Sequence, residues 1–272
     1  PVLVGAGAAW SQAVFSLWPA LAALVGAARL QIGANIAHDV FDFERGADTE
    51  DRLGPQRATQ QGWIKPADMK RAMWLAFAAA ALTGLYLTYV AGWSVLVLGL
   101  ASIAAAYLYT GGPRPYGYLG LGDLAVFVFF GVAAVAGTYF VQALSVSRLA
   151  LAASVPIGAL ATAILVVNNL RDIETDERAG KRTLAVRIGD RATRIYYFLL
   201  LLVAYVVPLL LWWLRMSGPQ VLISWLSLPL AWPLARRMRH ERGLALNGCL
   251  VRTARLEVVF GLLFALGLAW SG

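Results

Sequence analysis

Apolar stretches at residues 1–15, 18–42, 68–90, 93–110, 119–141, 149–171, 194–213, 220–235 and 250–270 leave this chain very few ways to fold. Most fall within the roughly 17 to 25 residues that a helix needs to cross a hydrocarbon core. Inside such a core every backbone N–H and C=O must find a partner within the protein, so only helices and closed barrels are stable there. None of the stretches alternates apolar and polar residues in the manner of a barrel strand. The expected fold is therefore all-α, a polytopic membrane bundle of nine transmembrane helices. Composition agrees, with 60% hydrophobic and 14% charged residues where soluble domains carry about 25% charged. We read residues 1–272 as one domain. Because the first stretch opens at Pro1 within an apolar run, an amino-terminal lead-in is expected to be missing.

Orientation follows from the basic residues, since cytoplasmic loops collect Lys and Arg. Of the 23 Lys and Arg residues, 20 fall in or beside the loops after the second, fourth, sixth and eighth stretches. The opposite side holds only Arg148 and Arg215, and Arg29 lies inside the second stretch. Those four loops are expected on the cytoplasmic face of a cell membrane. Trp18, Trp93, Trp212, Trp213 and Trp270 stand at stretch ends and read as interface anchors. A net charge of +8 suits anionic lipid headgroups or a phosphorylated substrate. With no basic soluble domain beside the helices, nucleic acid is not an expected partner. The single cysteine, Cys249, excludes an internal disulfide and fits neither a zinc site nor a thiol pair.

Polar chemistry gathers where two of the helices end. Residues 35–42 read Asn-Ile-Ala-His-Asp-Val-Phe-Asp, and residues 168–176 read Asn-Asn-Leu-Arg-Asp-Ile-Glu-Thr-Asp. Asn35 and Asp39 map onto Asn168 and Asp172 at a constant offset of 133 positions, and residues four apart share a helix face. This repeat suggests two related four-helix halves plus a ninth helix, with a site between the halves. Asp39, Asp42, Asp172 and Asp176 crowd helix C-termini, where the macrodipole disfavours an anion, close to a membrane boundary where charge is costly. Something positive must compensate. Magnesium fits, because it takes hard oxygen ligands and binds through one or two carboxylates plus substrate phosphates. The candidate ligands are Asn35, Asp39, Asp42, Asn168, Asp172 and Asp176. Cations follow each stretch: Arg45, Arg52 and Arg57 after the first, then Arg178, Lys181 and Arg182 after the second. Carboxylates beside guanidinium groups suit a metal diphosphate, the metal bridging phosphate to Asp while Arg takes the remaining oxygens. Taken singly, Asp48, Glu50, Asp51, Glu174 and Glu177 read as solvated loop residues, His38 as an interfacial polar residue and His240 as a membrane-surface residue.

These stretches resemble the two Asp-rich motifs of the UbiA superfamily of intramembrane prenyltransferases, written Asn-Asp-x-x-Asp-x-x-x-Asp and Asp-x-x-x-Asp. Similarity continues through Gly46, Ala47 and Asp48, residues 51–57 (Asp-Arg-Leu-Gly-Pro-Gln-Arg), residues 114–123 (Arg-Pro-Tyr-Gly-Tyr-Leu-Gly-Leu-Gly-Asp) and residues 180–187 (Gly-Lys-Arg-Thr-Leu-Ala-Val-Arg). Within the superfamily, segments 114–123 and 168–176 are most similar to the branch that prenylates 1,4-dihydroxy-2-naphthoate in menaquinone biosynthesis. His38 stands where the motif has Asn beside the first Asp, which shifts that ligand role to Asn35.

The resemblance implies a Mg2+-dependent transferase with polyprenyl diphosphate, 1,4-dihydroxy-2-naphthoate and the lipid bilayer as its partners. It adds Asp48 to the metal ligands, and it assigns the diphosphate to Arg52, Arg57, Lys181 and Arg182. Substrate contacts are implied for Asn35, Asn168, Asn169 and Arg171 in the motifs and for Arg114, Tyr116 and Tyr118 between them. Tyr107, Tyr109, Phe127 and Phe130 are placed to shelter an allylic cation. Asp123 is implied either to accept a proton or orient the acceptor hydroxyl, or else to position its own loop. Prenylation with loss of the carboxylate would give demethylmenaquinone. Two alternatives stay open. A sister enzyme acting on 4-hydroxybenzoate or homogentisate would carry the same motifs. A polytopic transporter would also place acids among helices, though near midplane on broken helices rather than at one interface.

Overall fold

The computed structural model describes residues 1–46 and 53–272, and every regular element among them is helical. In chain order these are α1 (Val2–Ser11), α2 (Leu17–Glu44), α3 (Pro66–Ala91), α4 (Trp93–Leu108), α5 (Gly122–Val126), α6 (Ala134–Ala143), α7 (Arg148–Arg171), α8 (Ile173–Arg178), α9 (Leu184–Trp213), α10 (Leu228–Arg237) and α11 (Leu246–Ala269). A π-helical turn, Phe127–Ala133, joins α5 to α6 as one rod, Gly122–Ala143. Among the described residues α2, α3, the α5–α6 rod, α7 and α9 are long and apolar enough to cross a bilayer. The chain is a multi-pass membrane protein.

Three of the expected stretches take a different form. The first supports a helix of only 10 residues, which stops where Ala13 adopts a φ of 56°. The stretch at 220–235 is not a continuous α-helix, because a 3-10 run, Pro219–Ser227, precedes α10. Pro219, Pro229 and Pro233 each remove an N–H donor, so an unbroken α-helical ladder cannot form through this segment. The helix expected from residue 194 begins at Leu184 and bends at Gly189, whose φ of 78° and ψ of 170° favour glycine.

Helix α7 is the central strut. Its Ala-, Gly- and Ser-rich run is buried nearly all round, packed by α9, α11, α1 and the π turn. Small residues allow such approach between membrane helices, where packing rather than water exclusion drives association. One close contact is at Gly131 of the π turn, where an added Cβ would lie 2.7 Å from the Gly158 Cα. Ser154 and Thr162 donate to the carbonyls of Leu151 and Gly158, so their hydroxyls are satisfied within α7. Helix α2 packs instead on α3, with Ala37, Val40 and Phe41 against Met69, Met73 and Phe77. Two connected cavities lie between α2 and α7.

Candidate active site

A polar chamber of about 650 Å³ opens between the ends of α2 and α7. Gln31, Asn35, His38 and Asp42 line it from α2 at the spacing of a single helix face. Ile164, Leu165, Asn168 and Asn169 line it from α7. The chain leaves helical geometry at Asp172 (φ −100°, ψ 10°), and Asp172, Thr175 and Asp176 continue the wall. An apolar chamber of about 580 Å³ adjoins this one. Gln31, Asn35, His38, Tyr109, Val126, Phe130, Leu165 and Glu257 line both.

Asp42 organises the first half of the polar chamber. It is only 4% exposed, and burying a carboxylate alone costs several kcal/mol. Three donors offset that cost: Tyr118 Oη at 2.7 Å, Lys181 Nζ at 3.3 Å and Arg57 Nη2 at 3.4 Å. Charge-assisted contacts contribute about 1.5–3 kcal/mol each, so the cluster holds a buried anion that one partner alone would not. Lys181 comes from the second motif, and its ammonium also sits 4.7 Å from the Tyr118 ring centroid. Burial and the Asp42 charge hold the Tyr118 phenol above its ordinary range, so it donates rather than ionises.

Asp39 plays a different part. It lines neither chamber, and its oxygens accept the backbone N–H groups of Ala58 and Thr59 at 3.1 and 3.2 Å. This pins the segment that brings Arg57 to Asp42. Asn35, one turn earlier, accepts from Gln31 Nε2 at 3.2 Å. The shared register therefore does not aim Asn35 and Asp39 at one point in the first motif.

In the second motif the register does converge, on Arg171. This buried guanidinium forks onto Asp172 at 2.7 and 2.5 Å and reaches Asn168 Oδ1 at 2.9 Å. Its remaining nitrogen donates to Asn247 Oδ1 at 2.7 Å, and Asn247 in turn donates to the Leu53 carbonyl at 2.8 Å. The sequence assigns Arg171 to substrate, whereas here its donors are spent on the protein. Burial pushes the Asp176 carboxyl up to about 7, with Lys181 opposing and Asp172 and Asp42 reinforcing the rise.

Other expected site residues are scattered. Tyr116 lines the apolar chamber, donates to the Ala105 carbonyl at 2.7 Å and packs edge-on against Tyr109. Tyr109 and Phe130 reach both chambers, whereas Tyr107 stacks on Trp74 and Phe127 packs on the α7 core. Arg114 and Arg182 are exposed and line neither chamber. Asp123 is 5% exposed and also lines neither; among the described residues its Oδ2 has no hydrogen-bond partner. Asp48 and Arg52 lie outside the described residues. Sequence reasoning missed Asn247, for which no local signal exists, and Glu257, an acid inside an apolar stretch and so a visible one.

The donor set suits a hard dication. Asp42, Asp172 and Asp176 supply carboxylates, and Asn35, Asn168 and Asn169 supply amides, around one chamber without a thiol. Among the described residues no three acidic, imidazole or thiol groups form a ready-made cage. That is consistent with magnesium held jointly by a few carboxylates and substrate phosphates.

A family model described as the UbiA prenyltransferase family matches residues 1–246. The 1,4-dihydroxy-2-naphthoate octaprenyltransferase of Mycobacterium tuberculosis is 46% identical over 244 residues, spanning 89% of this chain and 82% of that protein. The Escherichia coli protein of the same name is 40% identical over 281 aligned residues, spanning 99% of this chain and 90% of its own. Among solved structures, that of a UbiA homolog from Archaeoglobus fulgidus bound to DMAPP and Mg2+ matches with a TM-score of 0.61 at 15% identity, covering 96% of this chain and 94% of that one. At that identity the likeness speaks for the fold alone.

Proposed function

The chain belongs to the UbiA prenyltransferase family, and from that premise we propose that it transfers a polyprenyl group from polyprenyl diphosphate to 1,4-dihydroxy-2-naphthoate. Loss of CO2 accompanies the transfer and gives demethylmenaquinone. The observation that carries this reading is the junction of the two chambers. One is lined by acids and cations from both motifs, the other by apolar side chains, and they meet at Tyr109 and Phe130.

Asp42, Asp172 and Asp176, with Asn35 and Asn168, are the residues that would hold magnesium beside the diphosphate; Asp48 belongs to the proposed set, while Asp39 supports it through the backbone amides of Ala58 and Thr59. When bound, that metal neutralises the leaving diphosphate. Arg57 and Lys181, already gathered on Asp42, take up the charge released as the C–O bond breaks. Tyr109 and Phe130 present ring faces to the allylic cation. The apolar chamber receives the prenyl tail and keeps out water that would quench the cation. Nine membrane crossings, built as two related halves plus one helix with the polar chamber facing the cytoplasm of the cell membrane, complete the proposal.

Incubating the purified protein with a polyprenyl diphosphate, magnesium and a panel of aromatic acids, then weighing the lipid product, tests it. The expected product is the decarboxylated naphthoquinol adduct. A 4-hydroxybenzoate adduct in its place would assign a different acceptor, and no adduct with any acid would overturn the transferase reading.

A further inference from the structure

Glu257 lies midway along α11, just after Arg252 and Arg255 and at the start of the helix's apolar half. It lies 11 residues into α11, about 16 Å from that helix's start at 1.5 Å per residue. An acid within a membrane helix is rare and faces the bundle interior or a polar cavity when it occurs. Among the described residues Glu257 is the only acid lining the apolar chamber, and it lines the polar one too. Across the junction stand Asn35, His38 and Tyr109, and the His38 and Tyr109 rings stack with centroids 4.7 Å apart at 23°.

A stacked aromatic pair and a carboxylate that line the same junction, at the point where a prenyl chain would meet its diphosphate, have the polarity to hold an aromatic diol. We propose that Glu257 is a catalytic residue that binds the acceptor's ring hydroxyl and shuttles its proton. This rests on the naphthoate prenylation proposed above. The ring carbon bearing the carboxylate forms its bond to the allylic carbon as diphosphate departs with the electron pair of the broken C–O bond. The adjacent hydroxyl then gives its proton to Glu257 and becomes a carbonyl. CO2 leaves from the same ring carbon, its bonding pair returns to the ring as an enolate, and the enolate oxygen takes the proton back from Glu257. No net proton is gained or lost.

The test compares wild type with Glu257→Gln and Glu257→Asp, using the naphthoate diol and its 1-O-methyl ether as acceptors. Binding of a thio-substituted prenyl diphosphate analogue with magnesium is measured alongside. Losing a positioned acid–base group lowers the rate about 10²–10⁴-fold. The expected result is a loss of that size in kcat for Glu257→Gln on the diol, partial recovery in Glu257→Asp, and analogue affinity within twofold of wild type. On the methyl ether the substitution should cost nothing further. Wild-type turnover of the diol by Glu257→Gln, an equal loss on both acceptors, or parallel loss of analogue binding in both variants would each overturn the assignment. A wild type that prenylates no naphthoate would instead overturn the reading on which it rests.

Discussion

Asp42 carries more of the site than any other side chain, because it joins Tyr118, Arg57 and Lys181 across the two motifs. Asp42→Asn keeps the shape but removes the charge that both cations share. We expect turnover to fall roughly 10²–10³-fold, the scale of losing one electrostatic stabiliser, with a helical fold retained by circular dichroism. Arg171→Ala acts differently, leaving Asp172 without the fork that neutralises it. Breaking a buried pair in this way costs about 3–5 kcal/mol, measured as a lowered Tm in detergent. Arg171→Lys should fall between, since an ammonium cannot make the two-pronged contact. At this scale the sequence was only half legible. It marked Asp42, Lys181 and Arg57 as members of one charged cluster. It did not reveal that Asp39 would bind backbone amides, because that depends on how residues 53–59 return to α2. Nor did it reveal Arg171 as structural, since the partner that completes its network, Asn247, lies 76 positions away.

Between elements, the π turn fits closely on α7. An alanine at Gly131 would drive its Cβ into the Gly158 Cα and the Ser154 carbonyl. Backbone cannot yield as a flexible side chain would, and overpacking of this kind costs about 1–3 kcal/mol. Gly84→Ala on α3 meets open space and should be neutral or raise stability by about 0.4–1 kcal/mol through the unfolded chain. Thermal unfolding of the two variants side by side checks this; equal Tm values would show that the packing at Gly131 is not tight. Apolar length sufficed to place α2, α3, α7 and the α5–α6 rod. The π turn was hidden, because a single i→i+5 turn leaves the apolar pattern unchanged. The 3-10 run before α10 and the bend in α9 at Gly189 were likewise missed, because residues 220–235 read as one continuous apolar stretch and Gly189 precedes the stretch read as starting at residue 194.

For the molecule as a whole, the basic loops imply that the polar chamber faces the cytoplasm. Single cysteines at Glu177 and Ser145, introduced with Cys249 replaced by Ser, should react oppositely with a membrane-impermeant thiol reagent on intact cells. Ser145→Cys is expected to be labelled and Glu177→Cys to be protected until the membrane is opened; the reverse would invert the orientation. The offset of 133 positions between the motifs pairs Asn35 with Asn168, which line one chamber from α2 and α7, but also Asp39 with Asp172, of which only Asp172 lines it. The central claim is that acids from both helices hold the diphosphate through a shared dication. Calorimetric binding of a non-reacting thio-substituted polyprenyl diphosphate tests it most directly. With magnesium, wild type should bind, and EDTA, Asp42→Asn and Asp172→Asn should each weaken binding at least about tenfold, or roughly 1.4 kcal/mol. Affinity unchanged by the chelator and by both substitutions would contradict it.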